Sequence, residues 1–145
     1  MTMERPLPKE IANGSHLSGN EYAWDLSSFP SALTHAENLR YACIGGQFQF
    51  RLESGICEMY WLSADSGSRQ PGETWIEYCR RSCLEVRHGF EKLALETDFN
   101  RQAREWPPVR EAMAEGLDPI QRLVFVAYFE DEAEWLEDQQ RKIRR

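Results

Sequence analysis

Four cysteines, three histidines and 24 acidic residues are the side chains of this 145-residue chain that could carry metal, nucleophilic or acid–base chemistry. Cys43, Cys57, Cys79 and Cys83 include no pair at the two-residue spacing of a zinc site. Cys79 and Cys83 stand one helical turn apart within an apolar stripe, so they are expected to be buried, reduced thiols without metal. His88 follows Cys83 by five residues, which on a helix sets the two side chains about 140° apart, too divergent for a nucleophile and its base. His16 and His35 stand in no catalytic signature. Gly45-Gly46 lacks the glycine spacing and the following helix of a phosphate loop. Carboxylates abound, but hydrolytic or metal-dependent chemistry needs two converging from different elements, which spacing along one segment does not show. Glu58, set among apolar neighbours, reads as the outward side of an alternating strand. No catalytic residue, cofactor or metal ligand is assigned, and a non-enzymatic role is favoured.

Two features point to binding. Glu130, Asp131, Glu132, Glu134, Glu137 and Asp138 put six acids within nine residues, more than helix capping requires. Tyr22, Trp24, Tyr60, Trp61, Trp75, Trp106 and Trp135 are too many large rings for all to be deeply buried in a domain of this size. Together they nominate Glu130, Asp131, Glu134, Tyr60 and Trp135 as a surface for a partner protein with a basic face. If Cys57, Met59 and Trp61 face the core, Tyr60 shares the other face with Glu58, Gln47 and Gln49.

The elements that must position these residues follow from periodicity. Residues 1–24 carry Pro6, Pro8, Asn13-Gly14 and Gly19-Asn20 and read as an irregular lead-in; residues 25–145 read as one α+β domain. Ser27 or Ser28 caps a helix to about Asn38, with Phe29, Leu33, Ala36 and Leu39 along one face. Tyr41–Ile44, Gln47–Leu52 and Ile56–Leu62 alternate as three strands of an antiparallel meander, with Gly45-Gly46 as a turn or a bulge. Residues 63–72 form a polar loop where flexibility should concentrate. Thr74 and Glu77 make a capping box for a long helix whose stripe is Ile76, Cys79, Cys83, Val86, Phe90 and Leu93. A further helix over 98–116 breaks or restarts at Pro107-Pro108. Leu123–Phe129 reads as a central strand buried on both faces, and Glu130–Arg145 as a terminal helix. The expected fold is thus α+β: a meander plus one further strand, covered by the long helix, with additional N- and C-terminal helices.

The net charge of −7 opposes binding to nucleic acid or to anionic membrane. No apolar run approaches the ~20 residues that span a bilayer, and residues 1–12 lack an apolar signal core, so a cytoplasmic protein is expected. Exposed aromatics also allow a homo-oligomer.

Gly45-Gly46-Gln47-Phe48-Gln49-Phe50, the turn into Cys57-Glu58-Met59-Tyr60-Trp61, and Pro71-Gly72-Glu73-Thr74-Trp75 resemble small uncharacterised bacterial proteins, some of them immunity proteins that neutralise secreted toxins. The resemblance implies a cytoplasmic inhibitor that binds a basic toxin domain by charge complementarity and a few aromatic anchors, and it assigns no residue. The alternative is a small-molecule-binding domain or an enzyme, with a pocket between the meander and the long helix lined by Arg51, Glu58, Tyr60 and His88.

Overall fold

The structure, a computed structural model, describes residues 6–143. It is an α+β fold built on one antiparallel sheet of order β1-β2-β5-β3-β4, with strands β1 (Ser15–Ser18), β2 (Glu21–Trp24), β3 (Ala42–Leu52), β4 (Gly55–Asp65) and β5 (Leu123–Glu130). Its helices are α1 (Lys9–Ala12), α2 (Phe29–Asn38), α3 (Trp75–Glu96), α4 (Phe99–Arg104), α5 (Pro107–Ala114) and α6 (Glu132–Ile143), with a 3₁₀ turn at Pro119–Arg122. None of these helices is long and apolar enough to cross a membrane.

β5, the apolar run expected as a central strand, pairs with β2 on one side and β3 on the other. Its odd residues Leu123, Phe125, Ala127 and Phe129 face the helices; Val124 and Val126 face the opposite side of the sheet. Phe125 is the hub of the core, with ring centroids 4.6, 4.9 and 5.1 Å from Phe29 of α2, Phe48 of β3 and Phe90 of α3. Any side chain at Gly46, where β3 crosses this ring, would collide with Phe125 and with the Val126 carbonyl oxygen.

Three expectations are corrected. The segment read as three strands is a two-strand hairpin: β3 runs unbroken through Gly45-Gly46, and the irregularity is a bulge at Ile44, which is skipped between the Cys43–Phe129 and Gly45–Tyr128 pairs. A bulge adds a residue without ending the strand, and adjacent glycines permit it as readily as a turn. The lead-in is not irregular either. Its described part forms α1 and the β1–β2 hairpin, because Trp24 and Ile11 are fully buried and the Trp24 indole donates a 3.1 Å hydrogen bond to the Ile11 carbonyl; residues 1–5 lie outside the described region. The terminal helix begins at Glu132, leaving Glu130 as the last residue of β5, and the expected Arg144 and Arg145 lie outside the described residues.

The capping box is present, with Thr74 Oγ1 accepting from the Glu77 amide at 3.1 Å and Glu77 from the Thr74 amide at 2.8 Å. The buried stripe of α3 begins on Trp75 and Tyr78 rather than Ile76, which is exposed. Burying two large rings removes more apolar area from water than burying Ile76 would, and the Trp75 indole is satisfied by the Arg40 carbonyl at 2.8 Å. Leu39, likewise expected on a buried face, caps α2 and is partly exposed. The polar loop over 66–73 is tied to α3: Arg81 donates to both Glu73 carboxylate oxygens at 2.7 and 2.8 Å and to the Ser68 carbonyl at 3.0 Å. That fork holds the Glu73 carboxyl down to about 2.

All four cysteines are free and buried. Burial pushes the thiols of Cys79 and Cys83 up to about 12, leaving almost no thiolate at neutral pH. A thiol reagent at pH 8 is therefore expected to modify the native protein at the rate of unfolding and the urea-unfolded chain at once. Rapid labelling of the folded protein would contradict this.

Candidate functional site: the open face of the sheet

The helices pack on one face of the sheet, and no helix residue belongs to the apolar cluster on the other, which consists of Ala23, Val124 and Val126 with Tyr128 against them. Strand alternation puts Glu21 of β2, Gln47, Gln49 and Arg51 of β3, and Glu58 and Tyr60 of β4 on this open face. The expected company of Tyr60 is therefore present, since the Tyr60 hydroxyl donates to Glu58 at 2.7 Å and the Gln47 amide donates to the same carboxylate at 3.4 Å.

Arg51 organises the floor. Its Nε donates to Gln49 Oε1 at 2.6 Å, and its terminal nitrogens donate to the carbonyls of His16 at 2.7 Å and Glu21 at 3.3 Å, tying β3 to the β1–β2 hairpin. Gln49 is fully buried beneath it, and its amide nitrogen has no hydrogen-bond partner among the described residues. Burial lowers the Arg51 pKa, with Glu21 opposing. Tyr128 donates to Glu21 at 2.5 Å; desolvation first, then that hydrogen bond, raises its phenol well above the usual value. The carboxylates of Glu21, Glu58 and Asp65 outnumber the single cation Arg51 and give the face a negative character.

The edge of the face is shaped by a second irregularity. Gln47 pairs with Ser63 and Phe48 with Met59, so residues 60–62 of β4 bulge out of the ladder. The bulge displays two rings on opposite sides of the edge strand. Tyr60, 66% exposed, stands on the open face; Trp61, 57% exposed, turns to the helical side, stacks on Trp106 at 6.2 Å and donates to Gln102 at 3.1 Å. Trp61 does not enter the core because the bulge breaks the alternation that would have placed it beside Met59. Next to Tyr60, a hollow of about 240 Å³ lies over Gly45 and Gly46, lined by Tyr60 and Tyr128 and by Ser63 and Asp65. A side chain at Gly45 would meet the Asp65 carboxylate.

The residues singled out from sequence are thus divided. Arg51, Glu58 and Tyr60 come together; His88 is exposed on α3, on the far side of the helical layer. The pocket expected between the hairpin and α3 is filled by Phe48, Met59, Val86 and Phe90, all buried. Asp131 and Glu134 cap α6 reciprocally, each accepting from the other's amide at 3.1 and 2.9 Å. Glu130 is half-buried and hydrogen-bonded to Asp138. Trp135 packs against Trp75 at 6.1 Å with the Arg69 guanidinium 4.8 Å from its ring. Of the large rings, Tyr22, Trp24 and Trp75 are buried. Glu21, Tyr128 and Asp65 escaped notice: Glu21 stood in the apparent lead-in, Tyr128 in a continuous apolar run, and Asp65 beyond the expected strand end. Among the described residues no group of three or more His, Cys, Asp and Glu could hold a metal ion. No family model, no curated protein and no solved structure matches the chain.

Proposed function

We propose that this chain is a non-enzymatic, cytoplasmic protein-binding module whose open sheet face captures a partner with a basic surface, in the manner of an immunity protein that neutralises a toxin domain. The observation that carries this reading is Tyr60. The residue stands 66% exposed, yet a 2.7 Å hydrogen bond from its hydroxyl to Glu58 holds it beside the hollow bordered by Asp65. An exposed ring already held in one orientation loses little conformational freedom on docking, which is what an interface anchor needs. The hollow accepts a lysine or arginine side chain: Tyr60 and Tyr128 offer ring faces to the cation, and Asp65 offers a charge-assisted hydrogen bond. The net charge of −7 steers such a partner inward. Glu130, Asp131 and Glu134 contribute to that field from a distance, being committed to α6 and its underside rather than to contact.

The test is capture of partners from the source cells by wild type, Tyr60→Ala and Asp65→Lys, each at low and moderate salt. The expected result is a basic protein retained by wild type, weakened by Tyr60→Ala and lost with Asp65→Lys, with salt weakening it further. Retention by all three alike would sink the reading. Light scattering on the purified chain separates a second copy, whose face would carry like charge, from a distinct partner.

A further inference from the structure

Beneath α6 lies a second cavity, of about 750 Å³, bounded below by the end of β5 and Ile44 and closed at the sides by Tyr22, Tyr78 and the loop residues Ser66 to Arg69. It owes its existence to how α6 is attached. None of that helix's residues is buried, and its anchor is Trp135, held against Trp75 and beneath Arg69, which also reaches Glu132 at 3.4 Å. One turn further on, the helix no longer rests on the sheet, and Asp138 and Lys142 overhang open space. A volume of this size matches the pockets that enclose metabolite-sized molecules.

The walls differ in chemistry. One side is aromatic: Tyr22, Tyr78, Phe129 and Trp135. The other carries Glu130 of β5 and Asp138 of α6, two carboxyls from different elements that are hydrogen-bonded to each other. One proton between them is held on the half-buried Glu130, while Arg141 compensates Asp138 by donating to its Oδ1 at 2.9 Å. Arg69 is engaged with Trp75, Trp135 and Glu132. The pair therefore presents a place that a proton now fills and that an ammonium group would fill better, since it brings several donors and an apolar body for the aromatic wall.

We propose that the cavity under α6 is a binding site for a small organic amine, whose ammonium group sits on the Glu130–Asp138 pair and whose apolar or aromatic body lies against Tyr22, Tyr78 and Trp135. The cavity adjoins the open sheet face, sharing Ile44 and Tyr128 with the hollow beside Tyr60, but the proposal does not depend on the function proposed for that face. Glu130 faces Asp138, Glu134 and Lys142 from α6, Tyr78 from α3, Arg69 from the loop and Tyr22 from β2. Burial, with Asp138 next, raises its carboxyl to about 8. Binding an ammonium then releases one proton, so apparent affinity rises about tenfold per pH unit below 8.

The experiment is thermal unfolding of the dialysed full chain with 2-phenylethylamine, phenylacetate or benzyl alcohol, at pH 6 and pH 8, because a ligand that binds the folded state raises its apparent stability. The expected result is an upward shift of Tm with the amine alone, reached at a tenfold or more lower concentration at pH 8. In Glu130→Gln, whose amide can keep the hydrogen bond to Asp138, binding weakens tenfold or more and loses its pH dependence; in the Glu130→Gln, Asp138→Asn double variant it disappears. Leu95→Ala, on the exposed end of α3, binds as wild type does. No shift with millimolar amine at pH 8, equal shifts with phenylacetate or benzyl alcohol, or unchanged binding in Glu130→Gln each overturns the proposal. If the double variant fails to fold, the single variant decides.

Discussion

Phe125→Ala is expected to destabilise the fold by about 3–5 kcal/mol, the usual cost of emptying a large ring from a core that cannot collapse. Phe125 is fully buried at the centre of the sheet's covered face and touches rings contributed by α2, β3 and α3 at once. Those three elements cannot close together on the void, because β3 and β5 are fixed by their ladder and α3 is held at its start by its cap. Urea unfolding should show a lower midpoint at an unchanged slope. Leu136→Ala, on the half-exposed surface of α6, should stay within about 0.5 kcal/mol of wild type. A loss under about 1 kcal/mol at Phe125 would mean that the helical layer is not packed as described.

Glu130→Gln should remove the alkaline loss of stability that wild type shows. In the folded chain the Glu130 carboxyl is raised to about 8, first by burial and then by the hydrogen bond to and charge of Asp138; in the unfolded chain it titrates near the ordinary ~4.3. Between those values the folded state holds a proton that the unfolded state has released. The contribution is therefore fully present below the ordinary carboxylate range and is lost as pH rises through about 8. Wild type should melt several degrees lower at pH 9 than at pH 6, beyond any trend common to both proteins. The variant, with an amide where the proton would be lost, should show only the common trend. Parallel profiles would contradict the proton held on Glu130 and, with it, the premise of the amine site.

Much of the covered face was legible from sequence, because it rests on local rules. The Thr74–Glu77 box, the three- and four-residue steps through Cys79, Cys83, Val86 and Phe90, and the apolar run from Leu123 each mark their element without knowledge of its neighbours. The open face was legible only where one strand sufficed: Gln47, Gln49 and Arg51 alternate with Phe48, Phe50 and Leu52, and Glu58 shares a face with Tyr60. Its other half needed strand order. That β2 flanks β5, bringing Glu21 to Tyr128, is fixed by pairing across about a hundred residues, which no local pattern encodes. Bulges hid the rest. An alternation rule carried through residues 60–62 sends Trp61 inward, and one carried through Gly45-Gly46 ends a strand that in fact continues. The acidic segment was legible as charge but not as structure. Composition counts charges but not their partners, and Asp131, Glu134 and Glu130 turn out to be engaged with a helix start and with each other's neighbours.

Photocrosslinking from the protein surface tests the docking claim most directly. A benzophenone amino acid at position 56, exposed on the open face opposite Arg51, is compared with one at position 136, on α6, each expressed in the source cells. The account predicts one basic protein crosslinked through a lysine- or arginine-rich segment from position 56, absent from position 136, and abolished by adding Asp65→Lys. Crosslinking of that partner from position 136 alone, or from position 56 with Asp65→Lys unable to reduce it, would place the interface on the acidic helix or elsewhere and contradict the account.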